Sequence, residues 1–250
     1  MNNSIIHALD FDGVLCDSAV ETAITGWKCA GRIWDDMSGP VPPQALIDRF
    51  RQVRPIIETG YEAILAMRLL HLGETTDAIY RDYANKTQAL MQDAQVDANG
   101  LKKLFGETRD AWIDADLADW IEMNPLFSGI GEKLRRLGQQ GIWYIITTKQ
   151  ERFVKQILKA NRVELPDAHI FGLDRNMSKQ EVLKGLLEKH PRQPIHFVED
   201  RLPTLLNVLK NDELASVKLI FALWGYNTDE DKAVAAQNAF DSRLLEDFLV

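Results

Sequence analysis

Cysteine is scarce in this chain. The two present, Cys16 and Cys29, cannot build a disulfide framework, and their spacing suits no zinc site. They read as buried free thiols. No apolar run approaches the roughly 20 residues that a membrane-spanning helix needs. The N-terminus carries neither a basic segment nor a long apolar one, so no signal peptide is expected. Basic runs are missing, as is any interleaving of aromatic with basic residues, and the net charge is −8. Nucleic acid is a poor partner for such a surface. Low-complexity stretches and internal repeats are absent as well. These absences point to a reducing cytoplasm, with no membrane and no nucleic-acid partner.

What remains is ordinary globular material. The 250 residues are 46% apolar and 26% charged, enough for one large domain or for a core with an insertion. The organising stretch is IIHALDFDGVLCDS, residues 5–18. Ile5 to Leu9 reads as a short buried strand, with β-branched residues and no Gly or Pro. Asp10 and Asp12 follow at its C-terminal end, two positions apart, so an extended chain turns both to one face. Gly13 then lets the backbone turn sharply. Open parallel sheets hold their ligands just beyond the carboxyl ends of the strands. Paired carboxylates there suit a nucleophile beside a proton donor and acceptor, or together a hard cation such as Mg2+. A loop that caps the next helix with acidic residues would use the same tetrapeptide.

The longer string DFDGVLCDS resembles the first motif of the haloacid dehalogenase superfamily, most of whose members are phosphatases. The resemblance implies that Asp10 is the nucleophile and Asp12 the general acid/base. It also implies Mg2+ held by the Asp10 carboxylate and the Asp12 backbone carbonyl. Dehalogenating members lack the second carboxylate, so Asp12 favours phosphoryl transfer.

Residues 19–123 show no convincing strand. Helices are expected over Ala19 to Ala30, from Pro43 to Phe50, along the apolar positions from Ile57 to Leu72, and from a Thr75 or Thr76 cap to about Ala94. A short piece at Gly100 to Phe105 and a helix from Glu107 to Ile121 complete this region. After Asn124-Pro125 the pattern alternates. Strands are expected at Ile142–Ile146, Ala168–Phe171, Ile195–Val198 and Val217–Leu223. Helices are expected at Ile130–Leu137, Glu151–Ala160, Ser178–His190 and Leu202–Lys210, with two short helices at the end. Alternation of this kind implies a parallel sheet with right-handed crossovers. A structureless loop of about 130 residues between the first two strands is improbable, so a helical insertion is expected instead. The expected fold is therefore an α/β, Rossmann-like parallel sheet core (1–18 and 124–250) with an inserted all-helical cap (19–123). The resemblance adds the strand order 5-4-1-2-3.

Four other sites bear chemistry. Thr147 and Thr148 follow an apolar strand, where a hydroxyl and backbone N–H groups suit a phosphate oxygen, or alternatively cap the helix at Glu151. ITTK resembles the superfamily's second motif; Thr147 takes its position, and a slip of one residue would exchange it for Thr148. Lys179 opens a helix, where the macrodipole disfavours a cation. That points to a task elsewhere, against the alternative of a solvated lysine. The resemblance makes Lys179 the third motif, an electrostatic clamp on phosphate and nucleophile, with Lys184 as the substitute deeper in the helix. Glu199-Asp200 ends another strand, as a helix start or as the fourth motif. Asp200 aligns with the principal metal acid, and Glu199 stands where glycine is common. Thr204 takes the place of a further acid found in many members, so Glu199 is a candidate ligand in compensation. Trp224-Gly225-Tyr226-Asn227 resembles a segment of phosphoglycolate phosphatase-like members that could border the site, or is an ordinary turn; no catalytic role is read from it.

The implied function is Mg2+-dependent hydrolysis of a small phosphorylated metabolite through an aspartyl phosphate. A sugar phosphomutase would share every core residue, and a non-enzymatic phospho-binding module would share the fold. In the insertion, Arg54 precedes Pro55, which biases it toward a bend. From there a guanidinium could reach an anionic or hydroxylated substrate group, or pair with Glu58 on the surface.

Overall fold

The central strand β1 (Ile6–Leu9) is flanked on both sides, and its Ile6, Ala8 and Leu9 are fully buried. This is why its sequence is an almost unbroken apolar run. The structure, a computed structural model, describes residues 4–238 and 240–250. The chain divides into two compact units: one runs to Asp17 and resumes at Pro125, and the other is Ser18–Asn124.

The inserted unit is helical throughout. It contains α1 (Ala19–Ala30), α2 (Gln44–Val53), α3 (Glu62–His71), α4 (Thr76–Asp93), α5 (Ala98–Ala115) and α6 (Leu117–Glu122). Its core gathers Trp27, Phe50, Ile64, Met67, Leu70 and Phe105. Helices α1 and α3 pack closely at Gly26, where a Cβ would lie 2.7 Å from the Ala63 carbonyl oxygen. The Thr75 side chain caps α4 by accepting from Ala78 N–H, and the helix is kinked at Asp82. Two expectations are corrected here. α2 runs on to Val53 instead of stopping at Phe50. α5 is one helix that passes through Gly106, where a break was expected; Gly106 is buried in the packing, and the break falls at Asp116. Asp116 leaves helical geometry and caps α6, its side chain accepting from Asp119 N–H at 3.0 Å.

The other unit continues with α7 (Ile130–Gln140), β2 (Trp143–Ile146), α8 (Glu151–Ala160), β3 (Ile170–Phe171), α9 (Lys179–Lys189) and β4 (Ile195–Glu199). It ends with α10 (Leu202–Leu209), β5 (Lys218–Ala222), α11 (Asp229–Ala236), β6 (Asp241–Arg243) and α12 (Leu245–Leu249). The six strands are parallel, in the order β3-β2-β1-β4-β5-β6. The first five follow the expected order with β1 in the middle. β6 lies beyond them, where only helices were expected. It pairs Ile220 with Asp241 and Ala222 with Arg243, and Asp241 also takes a 2.7 Å ion pair from Lys218. Each flanking helix turns an apolar stripe to the sheet, as with Phe153, Val154, Ile157 and Leu158 of α8. The α7 helix passes Gly138 and ends at Gly141. No helix among the described residues is long and apolar enough to cross a membrane.

Candidate active site

All the parallel strands of the core unit bring their carboxyl ends to one edge of the sheet, and β1, β2 and β4 end there side by side. Asp10 leaves β1 still tied to the sheet, its N–H donating to Val198 O at 3.0 Å. The next residues wind tightly. Cys16 N–H and Leu15 N–H both donate to Phe11 O, and Gly13 N–H donates to Cys16 O. Gly13 has φ +90°, and a Cβ there would collide with the Asp200 carboxylate, so only glycine fits against the neighbouring strand end.

Asp10 is 6% exposed, and its Oδ1 lies 2.9 Å from Lys179 Nζ. Burial pushes its carboxyl up to about 7; the lysine opposes this and Glu199 adds to it. Lys179 is the first residue of α9, fixed there by a capping box between Ser178 and Glu181. Burial lowers the lysine pKa, but the carboxylates of Asp10 and Glu199 outweigh it and hold the ammonium above its ordinary value. Its second partner, Glu199 Oε2, is 2.6 Å away. Lys184 takes no part in this pairing and binds Glu213 instead.

Glu199 is fully buried, and both its oxygens are engaged. Oε2 accepts from Lys179, while Oε1 accepts from the N–H groups of Asp200 and Arg201 at 3.1 and 3.0 Å. Asp200 Oδ2 accepts from Tyr226 N–H at 2.6 Å. Tyr226 belongs to the Trp224–Asn227 turn, which packs directly on the site. A Cβ at Gly225 would strike Asp200 and the Gly13 carbonyl, Trp224 Nε1 donates to Val14 O, and Tyr226 OH donates to Asp17. Thr204 sits in the first turn of α10 and brings no carboxylate.

Asp12 has a lysine of its own. Its Oδ1 is 3.0 Å from Nζ of Lys149, a residue only 3% exposed. Lys149 follows Thr147 and Thr148 in the turn after β2. There Thr147 Oγ1 accepts from Lys149 N–H at 3.1 Å, and Thr147 N–H donates to Phe171 O. Thr147 is buried and Thr148 is half-buried. No role was read from the sequence for Lys149; the only available signal was a lysine two places after a strand-end threonine. Arg54 lies in the helical unit. It keeps helical backbone angles in spite of Pro55, is buried, and its guanidinium donates to Ile57 O at 3.0 Å.

Ligand atoms of Asp10, Glu199 and Asp200 all lie within 4.8 Å of one another. The cluster sets four carboxylates, counting Asp12, against the two ammonium groups of Lys149 and Lys179. An all-oxygen, buried donor set suits a hard divalent cation, and Asp10, Glu199 and Asp200 could hold one. Chemically, the edge combines a carboxylate able to attack, a second one two residues on, a hydroxyl, and buried ammonium charge.

No protein-family model matches the chain, and no curated protein matches it by sequence. Solved structures do match its fold across nearly the whole length. A predicted phosphatase from Clostridium acetobutylicum is 17% identical, with a TM-score of 0.55, over 100% of this chain and 97% of its own. A predicted phosphoglycolate phosphatase from Haemophilus somnus is 16% identical, with a TM-score of 0.57, over 96% and 93%. A haloacid dehalogenase-like hydrolase from Streptococcus pneumoniae is 17% identical, with a TM-score of 0.54, over 98% and 95%. At these identities the likeness shows the fold.

Proposed function

We propose that this chain, which has the fold of haloacid dehalogenase-like hydrolases, is a Mg2+-dependent phosphatase that acts on a small phosphomonoester through a phosphorylated Asp10. One observation carries the reading: the two carboxylates at the end of β1 are each paired with a separate lysine, Asp10 with the half-buried Lys179 and Asp12 with the buried Lys149. A module that only bound phosphate would need the ammonium groups but not two acids paired with them.

In this reading an Asp10 oxygen attacks phosphorus in line, and the bond to the leaving oxygen breaks as Asp12 delivers a proton to it. Asp12 then takes a proton from water. The water oxygen attacks phosphorus, the Asp10–phosphorus bond breaks, and inorganic phosphate leaves. Thr147 offers a hydroxyl and Lys179 a positive charge to the equatorial oxygens, so positioning and electrostatics supply most of the rate. Mg2+ bound by the carboxylates of Asp10 and Asp200 and by the Asp12 carbonyl would neutralise charge on the phosphoryl oxygens. Glu199, whose oxygens already hold Lys179 and two N–H groups, fits best as the residue that keeps Lys179 on Asp10.

The test is phosphate release from a panel of small phosphomonoesters, with Mg2+ and after exhaustive chelation. Release that stops on chelation and returns with added Mg2+ is expected. Full activity without metal, or no release from any ester, overturns the reading.

A further inference from the structure

We propose that Lys149 is the positioning residue for Asp12: it pins one carboxylate oxygen so that the other meets the leaving group in a single orientation. The proposal rests on the phosphatase reading above and adds a residue to it.

The observations are geometric. Lys149 Nζ is 3.0 Å from Asp12 Oδ1, and the lysine side chain is 1% exposed. Its backbone is held on both sides, since its N–H donates to Thr147 Oγ1 and its carbonyl accepts from Leu173 N–H at 3.1 Å. The close approach of Gly172, where a Cβ would lie 2.7 Å from the Lys149 carbonyl oxygen, leaves this turn little room to shift. The ammonium therefore projects from a fixed base. Asp12 sits in the tight turn after β1, and a short side chain on a turn can swing between rotamers. A salt bridge from a fixed base removes that freedom, and pre-orientation of a proton donor is worth a large share of its effect.

The energetics argue against a merely structural lysine. Burying an ammonium is expensive, and apolar residues of similar volume commonly replace buried ion pairs at no cost to stability. Methionine would fill this space more cheaply. Lysine at this position is accounted for by what it does to Asp12.

Lys149 also differs from Lys179 in what it touches. Lys179 binds Asp10 and Glu199, whereas the ion pair of Lys149 is with Asp12. Loss of Lys149 should therefore fall on the proton-transfer steps. A step that needs no protonation of the leaving group should be spared.

The experiment compares the intact chain with its Lys149→Met, Lys149→Arg, Asp12→Asn and Asp12→Asn/Lys149→Met variants. The substrates are phenyl phosphate, a poor leaving group, and 2,4-dinitrophenyl phosphate, a good one. For Lys149→Met, kcat on phenyl phosphate should drop roughly 100-fold, the scale of general acid catalysis, with KM changed about threefold or less. With 2,4-dinitrophenyl phosphate the burst that phosphorylates the enzyme should stay near the wild-type rate, while hydrolysis of the phosphorylated enzyme slows. The double variant should be no worse than Asp12→Asn alone, and Lys149→Arg should recover part of the loss. Equal losses on both substrates that add to those of Asp12→Asn would make Lys149 a phosphate ligand and overturn the proposal. Unchanged kinetics in Lys149→Met would also overturn it. Failure of the wild-type chain to release phosphate from either ester is a separate outcome; it defeats the phosphatase reading itself, and this proposal with it.

Discussion

Glu199 and Asp200 are adjacent, yet their surroundings divide their work. The Glu199 carboxylate is spent on Lys179 and on two backbone N–H groups, which lock it beneath the site. Asp200 stands where the absent side chain of Gly13 makes room for its carboxylate beside the β1 turn. Asp200→Asn should therefore raise the Mg2+ concentration needed for half-maximal activity by about tenfold or more. Glu199→Gln should leave that concentration nearly unchanged and lower kcat by roughly 10- to 100-fold, because Lys179 loses the partner that holds it on Asp10. Metal titration of activity in both variants separates the two; a large rise in the Mg2+ requirement of Glu199→Gln would make it a metal ligand after all. At this scale the meeting of Asp10, Asp12, Lys179 and Asp200 at one sheet edge was legible through the resemblance: the string at Asp10 is specific in itself, and the other two follow from their order and spacing after it. Lys149 was not. Its partner is 137 residues away, and no local pattern announces a salt bridge closed only by strand pairing.

Among the elements, the helical unit is tied together by a buried ion pair. Glu21 of α1 accepts from Arg109 of α5 through both oxygens, at 2.8 and 2.6 Å, and also from Thr25 and from Trp120 of α6. Removing the guanidinium leaves a carboxylate buried without its cation, so Arg109→Met should cost about 3–5 kcal/mol in the stability of this unit. Replacing both partners removes the uncompensated charge, so Glu21→Met/Arg109→Met should cost clearly less than the single change. Denaturant melts of the three proteins test this, and a double variant at least as unstable as Arg109→Met would refute it. The elements show where sequence pattern suffices. α1 and α8 keep the bounds expected for them, Ala19–Ala30 and Glu151–Ala160; α8 turns one apolar stripe to the sheet, whereas α1 is buried on nearly every side within the helical unit. The helix expected to begin at Glu107 runs through Gly106, which is buried, so packing there outweighs a glycine's helix cost of about 1 kcal/mol; the helix expected to end at Leu137 runs on to Gln140. β6 was invisible because Asp-Ser-Arg has no β-propensity; its backbone is a strand through pairing with β5 at the sheet edge.

In the whole molecule, the site is assembled from two distant parts of the chain. Asp10 to Gly13 come before the 107 residues of the helical unit; Thr147, Lys149, Lys179, Glu199, Asp200 and Tyr226 come after them. β1 enters the middle of a sheet whose other strands lie beyond the insertion, so the site exists only once that long-range pairing has closed. Mg2+ bound at this junction would hold both parts together. A ligand that binds only the folded state stabilises it by about 2.7 kcal/mol at 100 times its dissociation constant. The gain should be confined to the unit that supplies the ligands. Hydrogen exchange read by mass spectrometry should therefore show Mg2+ slowing exchange in peptides that cover β1, the end of β4 and the Trp224–Asn227 turn. Peptides at the opposite, amino end of the strands, around Gly141 and Pro194, and those within the helical unit, should change little. At the same Mg2+ concentration Asp200→Asn should weaken the protection, by about 1.4 kcal/mol for a tenfold loss of affinity, while Arg109→Met should leave it in place, because that substitution weakens the other unit. Equal Mg2+ protection in wild type and Asp200→Asn would mean that the cation binds elsewhere, and the assignment of this carboxyl-end cluster as the metal site would fall.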